Sequence, residues 1–103
     1  MLSSLEGLEY NRTVLLNDDL AFIELETLAG ITSIHLVPKQ WGPEAVHAIR
    51  EIFDEIRDTL RENQVHCILN MIDPSAKLDK LHRMFGFEKL GTWRELDVYR
   101  ILC

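Results

Sequence analysis

The six residues Gln40-Trp41-Gly42-Pro43-Glu44-Ala45 lie between an apolar run and a long amphipathic one, where a chain can hold an anion. A helix starting at Pro43 would leave its first N–H groups unpaired at the positive end of its dipole, and a phosphate or carboxylate satisfies both. The same residues also read as a well-made helix start with no ligand: Gly42 suits the N-cap, Pro43 the first helical position, and Glu44 complements the dipole. Pro43 removes one N–H from the anion cradle, and Glu44 places negative charge where a phosphate would sit.

Other candidate groups are scattered. Glu24 and Glu26 alternate with Ala21, Ile23 and Leu25 in a strand-like run, so two carboxylates share one face, where solvation is the ordinary role. In the next run Ile34 and Leu36 take one face, and His35 and Val37 the other. Cys67 and Cys103 form neither a disulfide framework nor a paired metal motif. Cys67 reads as a small buried hydrophobe, with His66 pointing to the opposite face of its strand.

The elements that would position these groups follow from periodicity. Residues 1–10 form a loose arm in which Leu2, Leu5 and Leu8 are spaced for about a turn of helix and Gly7 interrupts. Thr13–Leu16 and Leu20–Glu26 make a hairpin around Asn17-Asp18-Asp19, and Leu28-Ala29-Gly30 turns into a third strand, Ile31–Val37, ended by Pro38. From Pro43 to Asn63 the residues Val46, Ile49, Ile52, Phe53, Ile56 and Leu60 keep a 3.6-residue period, with charged residues between them. Ion pairs on that charged face are expected among Asp54, Asp58, Arg57 and Arg61.

Val65–Ile72, VHCILNMI, reads as a strand buried on both faces and parallel to Ile31–Val37 through a right-handed crossover. Ser75–Phe85 is a second helix, with Leu78, Leu81, His82 and Phe85 on one side and Gly86 as its stop. Phe87–Trp93 and Val98–Leu102 are two closing strands around Arg94-Glu95-Leu96-Asp97. The order is β-β-β-α-β-α-β-β in one α+β domain with a mixed sheet.

Composition narrows the function classes. A chain of 103 residues with 47% hydrophobic content is one ordinary domain with a modest stability margin, so a protein partner or a second copy would be unsurprising. Seventeen acidic and eleven basic side chains give a net charge of −6, and the basic ones are dispersed, which disfavours nucleic-acid binding. The opening MLSSLEGLEYNR does not read as a secretory signal, and no run has membrane-spanning length. The expected location is cytoplasmic.

Residues 31–103 resemble the GNAT superfamily of N-acetyltransferases in the order of elements and in local signatures. Ser75–Gly91, SAKLDKLHRMFGFEKLG, is similar to that family's helix followed by Gly-Phe and a further Gly, and Asp97-Val98-Tyr99 to its closing strand. Relative to the family, the N-terminal helices are curtailed to residues 1–10. The resemblance implies acetyl-CoA in a splay between the strands ending at Val37 and Ile72, with cofactor contacts at Leu36, Val37, Gln40, Trp41, Gly42, Glu44, Ala45 and Ser75. The family turn R/Q-x-x-G-x-G/A is degenerate here, with Pro43 and Glu44 at or beside its glycine positions. By the same resemblance His82 stands where the family places the Tyr that protonates the leaving thiolate. Glu24, Glu26 and His35 become candidate bases near the splay, and no metal is implied.

Two principal functions of different kinds follow, with a third beside them. One is an acyl-CoA-dependent N-acetyltransferase. The other is a non-catalytic interaction or head-assembly protein, since compact chains with this turn are similar to GNAT-like proteins of tailed bacteriophages; host cytoplasm or virion would then be its location. A third is an inhibitor of a host protein that acts by acetylation or occlusion.

Overall fold

The computed structural model describes residues 10–103, so the arm expected before Tyr10 lies outside the described residues. Eight elements run in the expected order: β1 (Tyr10–Asn17), β2 (Ala21–Leu28), β3 (Ile31–Pro38), α1 (Pro43–Glu62), β4 (Cys67–Ile72), α2 (Ala76–Met84), β5 (Glu88–Trp93) and β6 (Leu96–Leu102). They form an α+β architecture with two three-stranded antiparallel sheets, ordered β1-β2-β3 and β4-β6-β5.

The hairpins are built by their turns. Asp18 Oδ1 accepts the N–H groups of Leu20 (2.8 Å) and Ala21 (3.1 Å), which fixes the β1–β2 connection. Ala29 (φ 52°) and Gly30 (φ 82°) join β2 to β3, and Arg94 (φ 49°) and Glu95 (φ 68°) join β5 to β6. Two consecutive left-handed residues twist in the sense that flanking strands require, so both connections close in two residues. The last connection is therefore shorter than the four-residue link expected, and β6 starts at Leu96.

Helix α1 starts at Gly42 as N-cap with Pro43 in its first turn, as its residues predict. Its stripe enters the core: Ile49, Phe53 and Leu60 are buried, with Val46, Ile52 and Ile56 packed beside them. Arg61 pairs with Asp58 at 2.8 Å, whereas Arg57 instead donates to the Leu102 carbonyl at 2.7 Å. Helix α2 is capped by Ser75, whose Oγ accepts the Leu78 N–H at 3.2 Å, and ends before Gly86 at φ 97°. A side chain at Gly86 would also meet Ile101 Cδ1 at 3.3 Å, so glycine serves both geometry and packing there.

Phe53 joins the layers, with its ring 5.4 Å from Phe85 and 5.6 Å from Phe87. Ile23, Ile34 and Leu36 of the first sheet and Ile68, Tyr99 and Ile101 of the second complete one core. Each sheet buries a single face against this layer.

Three expectations are corrected. No ladder joins β3 to β4, so there is no single mixed sheet. Instead the Ile34 N–H donates to the Asn70 Oδ1 at 2.9 Å, and a side chain takes the donor that a ladder carbonyl would use. Strand β4 is not buried on both faces: Ile68 and Asn70 point inward while Cys67 and Met71 are exposed, because the helices cover only the inner face of its sheet. Cys67 is accordingly not a buried hydrophobe.

Candidate functional site

The expected anion turn opens into a groove between the helices. Trp41, Pro43, Val46, His47 and Arg50 form one wall, and Lys77, Lys80, Leu81, Met84 and Phe85 the other, around a volume of about 510 Å³. That is the size of a small-molecule site. Its floor is apolar through the buried Leu81 and Phe85, and its rim carries Arg50, Lys77 and Lys80. Lys77 Nζ lies 4.7 Å from the centre of the Trp41 ring, which pins the indole by cation–π attraction. An apolar trough with an aromatic plate and a cationic rim suits an elongated ligand with both apolar and anionic parts.

The rest of the turn is used structurally. Gln40 donates from Nε2 to the Asp19 carbonyl at 3.1 Å, and the Lys39 N–H donates to the Leu20 carbonyl at 2.9 Å, tying the turn to the β1–β2 connection. The Val46 N–H is held by the Gly42 carbonyl at 3.0 Å, and Glu44 occupies the first turn beside the dipole. Ala45 is half-buried there. Leu36 sits in the core and Val37 faces outward at the end of β3. Ser75 serves as the α2 N-cap.

His82 lies at the junction of α2 with both sheets. Its Nδ1 lies 2.7 Å from the Leu78 carbonyl, which can only accept, so Nδ1 carries the proton. Its Nε2 is then left to accept from the Asn70 amide nitrogen at 3.2 Å. The ring stacks on Tyr99 at 4.6 Å and meets the edge of Phe87 at 4.9 Å. Burial holds its pKa below the ordinary histidine value, outweighing the Leu78 carbonyl and Asp79. Tyr99 donates to Asp79 Oδ1 at 2.7 Å, which, with Arg83, holds the Asp79 carboxyl low; burial and this bond push the Tyr99 hydroxyl up.

Glu24, Glu26 and His35 do come together, on the face of the first sheet that points away from the helices. Their candidate ligand atoms all lie within 4.8 Å of one another, so among the described residues they are the group that could hold a metal ion. Glu24 is buried, not solvated as expected of a carboxylate on this face, because Arg12 from β1 lies over it with Nη2 2.7 Å from Oε1. Glu26 accepts from the Tyr10 hydroxyl at 2.9 Å and lies 3.8 Å from His35 Nε2. Together they make a carboxylate–imidazole cluster in which the Arg12 guanidinium already holds Glu24.

A closed seam separates this cluster from the groove. Ile34, Asn70, Leu81, His82 and Phe85 pack along it, with Leu81 and Phe85 facing the groove on one side and Ile34 and Asn70 facing a second cleft that contains Glu26 and His35 on the other. Reading the sequence missed two parts of this arrangement. Lys77, Lys80 and Met84 recur at i, i+3 and i+7 along one flank of α2, and that spacing is the signal for the groove wall. Asn70 inside an apolar run is the signal for the seam.

No protein-family model matches the chain, and no curated protein or solved structure matches it.

Proposed function

We propose that the chain is a GNAT-type protein that binds acetyl-CoA in the groove between α1 and α2. The groove carries this reading: an apolar floor, the Trp41 indole and three cations on the rim match a thioester with an apolar arm and a phosphorylated nucleotide. Lys77, Lys80 and Arg50 supply charge that the turn itself does not, since Pro43 withholds an N–H and Glu44 repels phosphate. The Glu24–Glu26–His35 cluster lies across the closed seam from the groove, so it is out of reach of an amine attacking a thioester bound there.

Isothermal titration with acetyl-CoA, CoA and a non-hydrolysable analogue tests the binding. Lys77→Glu with Lys80→Glu is expected to weaken binding at least tenfold. No heat of binding at millimolar ligand would sink the proposal.

A second reading is favoured by the seam. Asn70 fills the space between β3 and β4, and both His82 ring nitrogens are already engaged, which leaves no acid free beside the thioester. On this reading the chain retains the fold as an interaction or phage head-assembly module without transfer. Binding of CoA with no acetyl transfer to amine acceptors would select it; measurable transfer would exclude it.

A further inference from the structure

We propose that the helix-free face shared by the two sheets is a homodimer interface, covered by the same face of a second copy of this chain. Both helices pack on one side of the sheets, and nothing among the described residues covers the other. That side is apolar where solvent would favour polar groups. Val14, Ile31, Val37, Met71, Trp93 and Leu102 all project there, each between 47% and 65% exposed.

Area and charge together select the occupant. Six such side chains, each offering roughly 100 Å² at these exposures, supply most of the ~800 Å² per partner that a standard interface buries. On this face the strands present two cations, Arg12 and Arg100, and three anions, Glu24, Glu26 and Glu88, a balance of −1 against −6 for the whole chain; Lys89 and Asp97 of the same strands pair with each other at 3.3 Å. Arg12 pairs with Glu24 at 2.7 Å and Arg100 with Glu88 at 3.2 Å, which leaves Glu26, hydrogen-bonded by the neutral Tyr10 hydroxyl at 2.9 Å, as the net charge.

A copy of a face with a balance of only −1 meets little like-charge repulsion from itself, and its two ion pairs stay satisfied when water is excluded. A basic partner would instead be drawn to the acidic remainder of the chain, and an acidic lipid surface would meet, among the described residues of this face, a single cation, Arg94 over the Trp93 ring at 4.6 Å, beside the paired Arg12 and Arg100. Between Ile31 and Met71 the seam widens into a cleft of about 210 Å³, a socket for an apolar side chain of the opposing copy. The interface lies across the sheets from the α1–α2 groove, so this inference stands whether or not the groove binds acetyl-CoA.

Light scattering coupled to size exclusion at micromolar concentration tests it. The expected mass is twice the 12.0 kDa of the chain. Met71→Lys and Ile31→Lys, both surface changes, should each restore the monomer mass with an unchanged far-ultraviolet circular dichroism spectrum. Glu51→Lys on the solvent side of α1 should stay dimeric. A wild-type monomer at these concentrations overturns the proposal, as does a dimer that survives both lysine variants. Binding of the wild-type monomer to phosphatidylcholine vesicles would also overturn it, by assigning the face to lipid.

Discussion

The Ile34 N–H donates to Asn70 Oδ1 across 2.9 Å, and this bond spans two sheets that share no strand ladder. Since the Asn70 amide also faces His82 Nε2, one carboxamide connects β3, β4 and α2. Neutral buried networks of this kind are stable only when every member is satisfied.

Replacing Asn70 by Leu should therefore be far worse than its change in polarity suggests. The Ile34 N–H loses its acceptor and His82 Nε2 its donor, and each buried orphan costs about 1–3 kcal/mol. Urea denaturation should show a combined loss of about 3 kcal/mol. A loss below about 1 kcal/mol would mean that water replaces the amide at both ends.

Stability should fall on mild acidification, and His82 should be the cause. Its folded pKa lies below the unfolded value of roughly 6.5, so the unfolded chain binds the proton first and the native state is favoured most above that pH. The His82 contribution is lost as pH drops from about 6.5 through the depressed folded value. Asp79, also held low, keeps its contribution until pH falls below roughly 4. Urea midpoints between neutral and mildly acidic pH should slope for the wild type and flatten in that window for His82→Gln. Equal slopes would assign the dependence elsewhere.

On the outer face the ion pair is asymmetric, and the two halves should respond differently. Arg12→Ala strands the buried Glu24 carboxylate, whereas Glu24→Gln leaves a neutral acceptor under a largely exposed guanidinium. The Arg12 change should lower the melting temperature more than the Glu24 change does. Thermal melts at neutral pH compare them.

Trp41 separates packing from binding. Trp41 is 38% exposed and held by Lys77, so Trp41→Ala should cost about 2 kcal/mol of stability, less than a fully buried Trp. The same change should raise the acetyl-CoA dissociation constant at least tenfold if the indole is a wall of the ligand site. A large stability loss without a change in affinity would mark Trp41 as core.

Much of this arrangement is legible in the residues. The α1 stripe from Val46 to Leu60, the Gly42-Pro43 start and the Ser75 cap are local signals, set by a 3.6-residue period and by unpaired helix ends, and each element forms where they point. The seam was not legible, because VHCILNMI reads as a strand buried on both faces unless Asn70 is given more weight than its neighbours. Glu24 looked solvated because the residue that covers it, Arg12, lies on another strand, and cross-strand cover is not written in either sequence segment alone. The groove was half legible: the turn announced itself, while Lys77 and Lys80 looked like an ordinary solvated flank until the crossing of α1 and α2 set them opposite Trp41.

The two-residue turns at Ala29-Gly30 and Arg94-Glu95 bear on the order of folding. Each closes a hairpin whose partners are adjacent in sequence, so β2–β3 and β5–β6 can form early with little loop entropy to overcome. No strand pair has to be broken for the sheets to part, only the Asn70 bridge and the packing around Phe53. Amide exchange should therefore find two cooperative units joined at β3 and β4, with the Ile34 N–H reporting the opening between them.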